Sequence, residues 1–188
     1  MILRVLVFLI ALTVSGCAGS VAHNVNLSKD FQYSLPQDAW VGEPVSAFQQ
    51  VTLSFGDEVI HFQAIVELKA PHAKILLLDM TGRRAMDIHW SQTGVEVQYA
   101  DWLPENVNAS EILSRMVLAF WPIDQIKMGL PANGNLVQRG NVRLIKHTGE
   151  TILEITKSNE NSWISKNVIE HRNSDMKLII SSSLRGIK

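Results

Sequence analysis

The sequence predicts a mainly β protein of the α+β class. Its core is a strongly curved antiparallel sheet or incomplete barrel, with a helical lid inserted between two β-meanders. Three observations predict this. From Gln49 to Tyr99, apolar residues recur with period two between short turn signals. From Asn133 to Ser183, the same alternation resumes. Between the two, Asn106 to Leu130 has helical spacing instead, and an amphipathic helical segment set into a sheet must cover one face of it.

The chain divides into residues 1–16, a signal peptide; 17–30, a lipidated tether; and 31–188, a single domain with a helical insert at 106–131. Arg4 and the apolar run Val5 to Val14 give the first segment its form, and the run is too short for the roughly 20 residues a bilayer crossing needs. Leu12-Thr13-Val14-Ser15-Gly16-Cys17 looks like a bacterial lipobox. That likeness implies cleavage before Cys17 and lipid attached to its sulfur and new amino group. Several acyl chains at ~0.8 kcal/mol per buried methylene then make a durable membrane anchor. Residue 18 is alanine rather than the aspartate that retains lipoproteins in the inner membrane, so the outer membrane, periplasmic face, is the expected location. Ala18 to Asp30 is small and polar without apolar periodicity, and reads as a tether reaching roughly 40 Å at ~3.3 Å per residue.

In the first meander, Val51, Leu53 and Phe55 share a face, and Gly56-Asp57 turns the chain. Ile60, Phe62, Ala64, Val66 and Leu68 follow on one face up to Pro71. The unbroken run Ile75-Leu76-Leu77-Leu78 predicts a strand covered on both sides. Thr81-Gly82 turns into a strand whose Met86, Ile88 and Trp90 face in while Arg83, Asp87 and His89 face out, and Thr93-Gly94 turns into Val95, Val97 and Tyr99.

In the insert, Asn108 caps a first helix with Glu111 placed for a capping box. Ile112, Leu113, Met116, Val117 and Phe120 form its apolar stripe. Trp121-Pro122 breaks the run and starts a second short helix containing Ile123, Ile126 and Leu130, which Gly129 and Pro131 end. The second meander contains two expected hairpins: Asn141–Lys146 with Thr151–Lys157 across His147-Thr148-Gly149-Glu150, and Trp163–His171 with Met176–Ser183 across Asn173-Ser174. About nine or ten strands with short turns make a curved sheet or open barrel.

Composition excludes several classes of function. With 46% hydrophobic and 19% charged residues the chain is not disordered, and a formal net charge of -1 supplies no basic field for nucleic acid. Cys17 is the sole cysteine, so no disulfide framework and no cysteine metal site can form. The six histidines make no helical i, i+4 metal pair. Asp87 and His89 share a strand face and could orient each other, but that face is the polar one, which makes them a solvated pair. No Gly-x-Ser-x-Gly elbow or phosphate-binding glycine loop occurs, and Ser181-Ser182-Ser183 is a weak nucleophile candidate without local partners. Trp90, Trp102 and Trp121 could mark a ligand site, against a default of packing. We expect neither enzyme activity nor a cofactor or metal.

Three stretches carry a family likeness. Ile75-Leu76-Leu77-Leu78-Asp79-Met80-Thr81-Gly82-Arg83-Arg84-Ala85-Met86-Asp87-Ile88 resembles the central hairpin of the LolB family of outer-membrane lipoprotein receptors. Trp121-Pro122-Ile123-Asp124-Gln125-Ile126-Lys127-Met128-Gly129-Leu130-Pro131 resembles that family's Pro-initiated helix and Gly-Leu-Pro exit, and the lipobox at Cys17 fits as well. The likeness covers Gln49 to Gly186 in order of elements and is nearest to uncharacterised proteobacterial lipoproteins of that superfamily rather than to LolB itself. It implies an incomplete barrel whose helices plug an apolar cavity for acyl chains, and a role receiving lipoproteins from a soluble periplasmic carrier. It also implies an apolar residue exposed on a loop between strands, for which the turn Met80-Thr81-Gly82 offers only Met80.

The expected function is that of an outer-membrane-anchored lipoprotein which binds acyl chains of lipoproteins or glycolipids and helps localise or transfer them. The cavity lining would be Phe62, Val66, Leu76, Leu78, Met86, Ile88, Trp90 and Val97 from the sheet, with Ile112, Met116, Phe120 and Ile126 from the lid. The alternative is an envelope interaction module with a closed core, since alternating apolar faces are equally what a packed sheet requires.

Overall fold

In the computed structural model the described residues are 18–21, 23–28, 30–104, 107–172 and 174–186. The expected signal segment 1–16 and the expected lipidation site Cys17 lie outside them, as do Asn106 at the start of the insert and Asn173 in the last turn.

The first meander is β4 (Val45–Phe55), β5 (Glu58–Lys69), β6 (His72–Leu78), β7 (Arg84–Ser91) and β8 (Gly94–Tyr99). The second is β9 (Gly134–Arg139), β10 (Val142–His147), β11 (Glu150–Lys157), β12 (Lys166–His171) and β13 (Met176–Leu184). The two fuse because β13 returns to pair antiparallel with β4, from Met176 opposite Phe55 to Leu184 opposite Ala47. With β1 (Ala18–Val21) added beside β8, the sheet has eleven strands in the order β1-β8-β7-β6-β5-β4-β13-β12-β11-β10-β9. It is an open antiparallel sheet rather than a closed barrel, with β1 and β9 as its edges.

This order explains why the helical insert fills one face. β8 and β9 are consecutive in sequence but lie at opposite sides of the sheet. The segment between them, α1 (Ala109–Phe120) and α2 (Ile123–Met128), must therefore cross from one side to the other. The sheet curls around it. Seven strand steps separate β7 from β10, roughly 34 Å on a flat sheet. Yet the Trp121 ring lies 6.0 Å from that of Trp90 on β7, while its carbonyl oxygen accepts from Arg143 on β10 at 3.3 Å. Only a strongly curved sheet brings both strands to one residue.

Within the tether expected over 17–30, the described residues include two strands, Ala18–Val21 and Asn24–Ser28. β1 pairs with β8 from Ala18 opposite Gln98 to Val21 opposite Val95. β2 (Asn24–Ser28) and β3 (Phe31–Ser34) form a separate hairpin that buries Val25, Leu27, Phe31 and Tyr33. The alternation Val25, Leu27 and Phe31, Tyr33 was in the sequence, but four apolar residues among polar ones do not declare a strand pair until a core exists to receive them. In the second meander, the residues expected to begin a strand at Trp163 instead make a 3-10 turn, Ser162–Ile164, with the Asn161 side chain accepting from Trp163 N.

Candidate functional site

The cover is fixed at both ends of α1. Asn108 Oδ1 accepts from the Ser110 amide at 2.9 Å, as an N-cap should. Glu111 does not close a capping box; its carboxylate meets Arg115 Nη1 at 3.4 Å. At the other end, Pro122 has no N–H to continue the ladder, and the last carbonyls of α1 would stand empty. Arg143 fills them. Its Nη1 donates to Leu118 O at 2.6 Å and to Ala119 O and Trp121 O at 3.3 Å each. A cation at the negative end of a helix dipole is well placed, although burial pushes this guanidinium down to about 10. Ser162 Oγ donates to Ala119 O as well, at 3.2 Å.

Trp121 then ties the cover to the rest. Its Nε1 donates to Ala39 O at 2.8 Å, and its ring packs edge-on against Trp40 and stacks on Trp90. Phe120 meets Trp163 at 4.6 Å. Trp90 and Trp121 are thus packing residues, while Trp102 is exposed, with the Arg83 guanidinium over its ring at 4.7 Å.

Ten of the twelve residues expected to line a cavity are brought together between sheet and cover. Phe62, Val66, Met86, Ile88, Trp90 and Val97 are buried on the inner face of the sheet, and Ile112, Met116, Phe120 and Ile126 on the cover. Leu76 and Leu78 are not among them. Ile75 and Leu77 take the inner positions, opposite Ile88 and Met86, whereas Leu76 and Leu78 lie opposite Asp87 and Arg84 on the outer face, half-buried. A run of four apolar residues has no phase of its own, and pairing with β7 sets it. All ten inner residues pack directly against protein, with the cover seated.

A large opening lies at one end of the sheet, between β2, the first turns of α1, the ends of β4, β10 and β12 and the starts of β11 and β13. It has a volume of about 920 Å3. Leu27, Phe55, Ile152 and Met176 give it an apolar floor, and Asp30, Glu111, Arg115, His147, Glu150, His171 and Asp175 a charged rim. The His171 ring meets Leu27 O at 2.7 Å and the His147 ring meets Asn133 Nδ2 at 2.8 Å, so both are engaged in holding the rim. The opening is a mouth between the sheet and its cover, at the amino-terminal end of α1.

Sequence reasoning missed a polar row that crosses the inner face near the carboxyl-terminal end of α1. Arg143 on β10 and Lys157 on β11 share the inner face as diagonal neighbours, since Arg143 stands opposite Ile155. Lys157 stands opposite Asn167 on β12. Ser182 on β13 stands opposite Gln49 on β4, and Gln49 Nε2 donates to Ser182 Oγ at 3.3 Å. Asn167 and Gln49 are fully buried, at 0% exposure each, and among the described residues their Oδ1 and Oε1 have no hydrogen-bond partner. Among the described residues neither Arg143 nor Lys157 forms a salt bridge. The signal was present: Gln49 interrupts the apolar phase of Ala47, Val51 and Leu53, and Asn167 and Lys157 stand in phase with Ile169 and Ile155. Arg143 was harder to see, because Val142 and Leu144 suggest the opposite phase.

The Asp87–His89 pair weighed for chemistry stays on the outer face of β7. His89 Nε2 lies 3.2 Å from Asp87 Oδ1, on the outer face. Among the described residues no three His, Cys, Asp or Glu side chains converge as metal ligands, and no helix is long and apolar enough to cross a membrane.

Fold and site together define an open, curved antiparallel sheet closed on one face by an inserted helical cover, with a mouth at one end and a buried polar row toward the other. Within that class, the chain belongs to the family described as "Protein of unknown function (DUF3261)", which matches residues 46–184. Those residues run from the second residue of β4 to the last residue of β13, and so take in both meanders and the whole cover. A search of curated proteins finds no match.

Proposed function

We propose that this protein is an outer-membrane-anchored, non-enzymatic carrier that takes up acyl chains between the sheet and its helical cover. The cargo is a lipid or a lipoprotein, delivered by a periplasmic carrier as the LolB resemblance implies. The observation that carries this reading is the mouth. An apolar floor opens directly onto the seam between the inner face and α1, under a charged rim, at a volume suited to a chain-like ligand. Uptake is passive: the cover swings away, acyl chains replace its contacts, and burial at about 25 cal/mol per Å2 of apolar surface supplies affinity.

The position of the N-terminal strand supports the anchoring. Cys17 immediately precedes β1, and Ala18 pairs with Gln98 beside the exposed Tyr99. The turn bearing exposed Met80 and the exposed Trp102 lie at this same end of the sheet as the mouth. A lipid on Cys17 would therefore hold the mouth toward the bilayer.

The close packing of the ten inner residues favours a second reading, an interaction module that never opens. Mass spectrometry of an organic extract separates the two. The protein is purified from a bacterium with its native envelope pathways, as wild type and as Met116→Asp. A stoichiometric acyl-chain molecule present in the first and absent in the second is the expected result. A clean extract from folded wild type that also refuses fluorescent fatty acids would leave the closed module standing.

A further inference from the structure

The polar row has no role in holding an apolar ligand, and its composition is costly for a core. Arg143 and Lys157 share one face, and among the described residues neither forms a salt bridge and the two buried carboxamide oxygens of Gln49 and Asn167 accept no hydrogen bond. A buried polar atom without a partner has given up its hydration for nothing in return, which makes the two carboxamide oxygens costly to keep. Burial, reinforced by the like charge of Arg143, pushes the Lys157 ammonium down, and Glu160 offsets this only in part. Arg143 caps α1 and Asn167 Nδ2 holds Ser162 O at 3.0 Å, but among the described residues no hydrogen bond accounts for the Lys157 ammonium or for the Asn167 and Gln49 oxygens. Leucine or isoleucine continues the same rows on neighbouring strands.

Taken as a binding surface, the row is coherent. Arg143 and Lys157 supply positive charge and N–H donors, while Asn167 Oδ1 and Gln49 Oε1 supply acceptors. Arg143 already spends its donors on the carbonyls of Leu118, Ala119 and Trp121, which leave when the cover leaves. Resting on the carrier reading above, we infer that the open state receives the cargo's polar head at this row, and that the head is an anion bearing hydroxyl groups, a phosphoglycerol lipid being the simplest case. The acyl chains lie along the inner face back toward the mouth. Gln49 lies six residue steps along β4 from Phe55, roughly 20 Å of strand, a span suited to a long acyl chain. The anion takes over the guanidinium as α1 releases it, so head binding and opening are one event.

The test is native mass spectrometry of the full-length protein, extracted from its membrane in mild detergent. It is offered equal amounts of phosphatidylglycerol and diacylglycerol with the same chains. Wild type should bind phosphatidylglycerol at least tenfold in preference. Lys157→Met should bring that ratio close to one while diacylglycerol binding persists, and should melt no lower than wild type because among the described residues its ammonium holds no hydrogen bond or salt bridge. Excess inorganic phosphate should leave the lipid adduct in place; displacement by it would overturn a lipid head as the ligand. Equal binding of the two lipids by wild type, an unchanged ratio in Lys157→Met, or a clearly lower melting point would each overturn the headgroup site while leaving the carrier intact. Binding of neither lipid would instead remove the carrier reading, and this inference with it.

Discussion

Arg143 Nη1 lies 2.6 Å from the carbonyl oxygen of Leu118, so one side chain of β10 closes the carboxyl-terminal end of α1. The same nitrogen reaches Ala119 O and Trp121 O. Replacing it with methionine fills much of the volume but removes the guanidinium donor from Leu118 O and Trp121 O and leaves Ala119 O only the Ser162 hydroxyl. Hydrogen bonds to a charged group are worth more than neutral ones, so Arg143→Met should lower stability by about 2–3 kcal/mol. Urea denaturation would read this as a shifted midpoint with an unchanged slope, and an unmoved midpoint would mean the cover does not depend on this residue.

Leu76 and Leu77 are adjacent and chemically identical, yet they should differ in cost. Leu77 is 1% exposed on the inner face, and Leu77→Ala leaves a cavity there, which costs roughly 2–5 kcal/mol. Leu76 is half-buried on the outer face and can be rehydrated, so Leu76→Ala should cost well under half as much. Chemical denaturation of the pair checks which phase of β6 faces the core.

That phase marks where the sequence stopped being informative. The two meanders, the intervening helices, the Asn108 cap and the break at Trp121-Pro122 all follow from local rules of period, capping and proline chemistry. Leu76 and Leu78 could not be phased, because their side depends on register with β7. The β2–β3 hairpin looked like linker because its four buried residues gain value only from the core they complete. Arg143 was invisible for a related reason: its partners are backbone carbonyls of an element 25 residues earlier, and no sequence pattern encodes a carbonyl.

Gly129 ends α2 where the hairpin passes closest. Its φ is ordinary for any residue, so its role is not conformational freedom. A Cβ there would stand 2.0 Å from Ser34 O and 2.8 Å from the Tyr33 ring. Because the Ser34 amide also donates to Gly129 O at 2.9 Å, the two backbones cannot simply move apart. Gly129→Ala should therefore cost about 2 kcal/mol or more, beyond the roughly 1 kcal/mol of an ordinary strained glycine site. Gly82→Ala, whose φ of 85° is strained but which has open space around it, is the control.

Asp79 organises the turn that carries Met80. Its carboxylate accepts from Thr81 Oγ1 at 2.7 Å, Thr81 N at 2.8 Å, Arg83 Nε at 2.7 Å and Arg83 N at 2.9 Å. These bonds, that to the Thr81 side chain foremost, hold its pKa far below the usual carboxylate range. With the folded value depressed, the unfolded chain binds more protons as the solution is acidified. The contribution of Asp79 is therefore present above the ordinary carboxylate pKa and lost as pH falls toward the depressed value. Thermal melts of wild type and Asp79→Ala should differ at neutral pH and converge in acid. A gap that persists under strong acid would assign the effect to shape rather than charge.

Trp102 tests the membrane arrangement proposed above. It is 40% exposed, at the end of the sheet where Met80 is 58% exposed and where β1 begins one residue after Cys17. Because β1 is paired from Ala18 onward, little chain remains to let the domain stand away from an anchored Cys17. An amphipathic indole held there should sit at the headgroup level, as tryptophan does at membrane interfaces. The other four tryptophans, Trp40, Trp90, Trp121 and Trp163, are buried in one cluster and supply a constant background. In vesicles carrying brominated lipids, the lipidated protein should lose a fraction of its fluorescence that Trp102→Phe removes. Wild-type emission untouched by the bromines would place this end of the sheet away from the membrane, and the mouth with it.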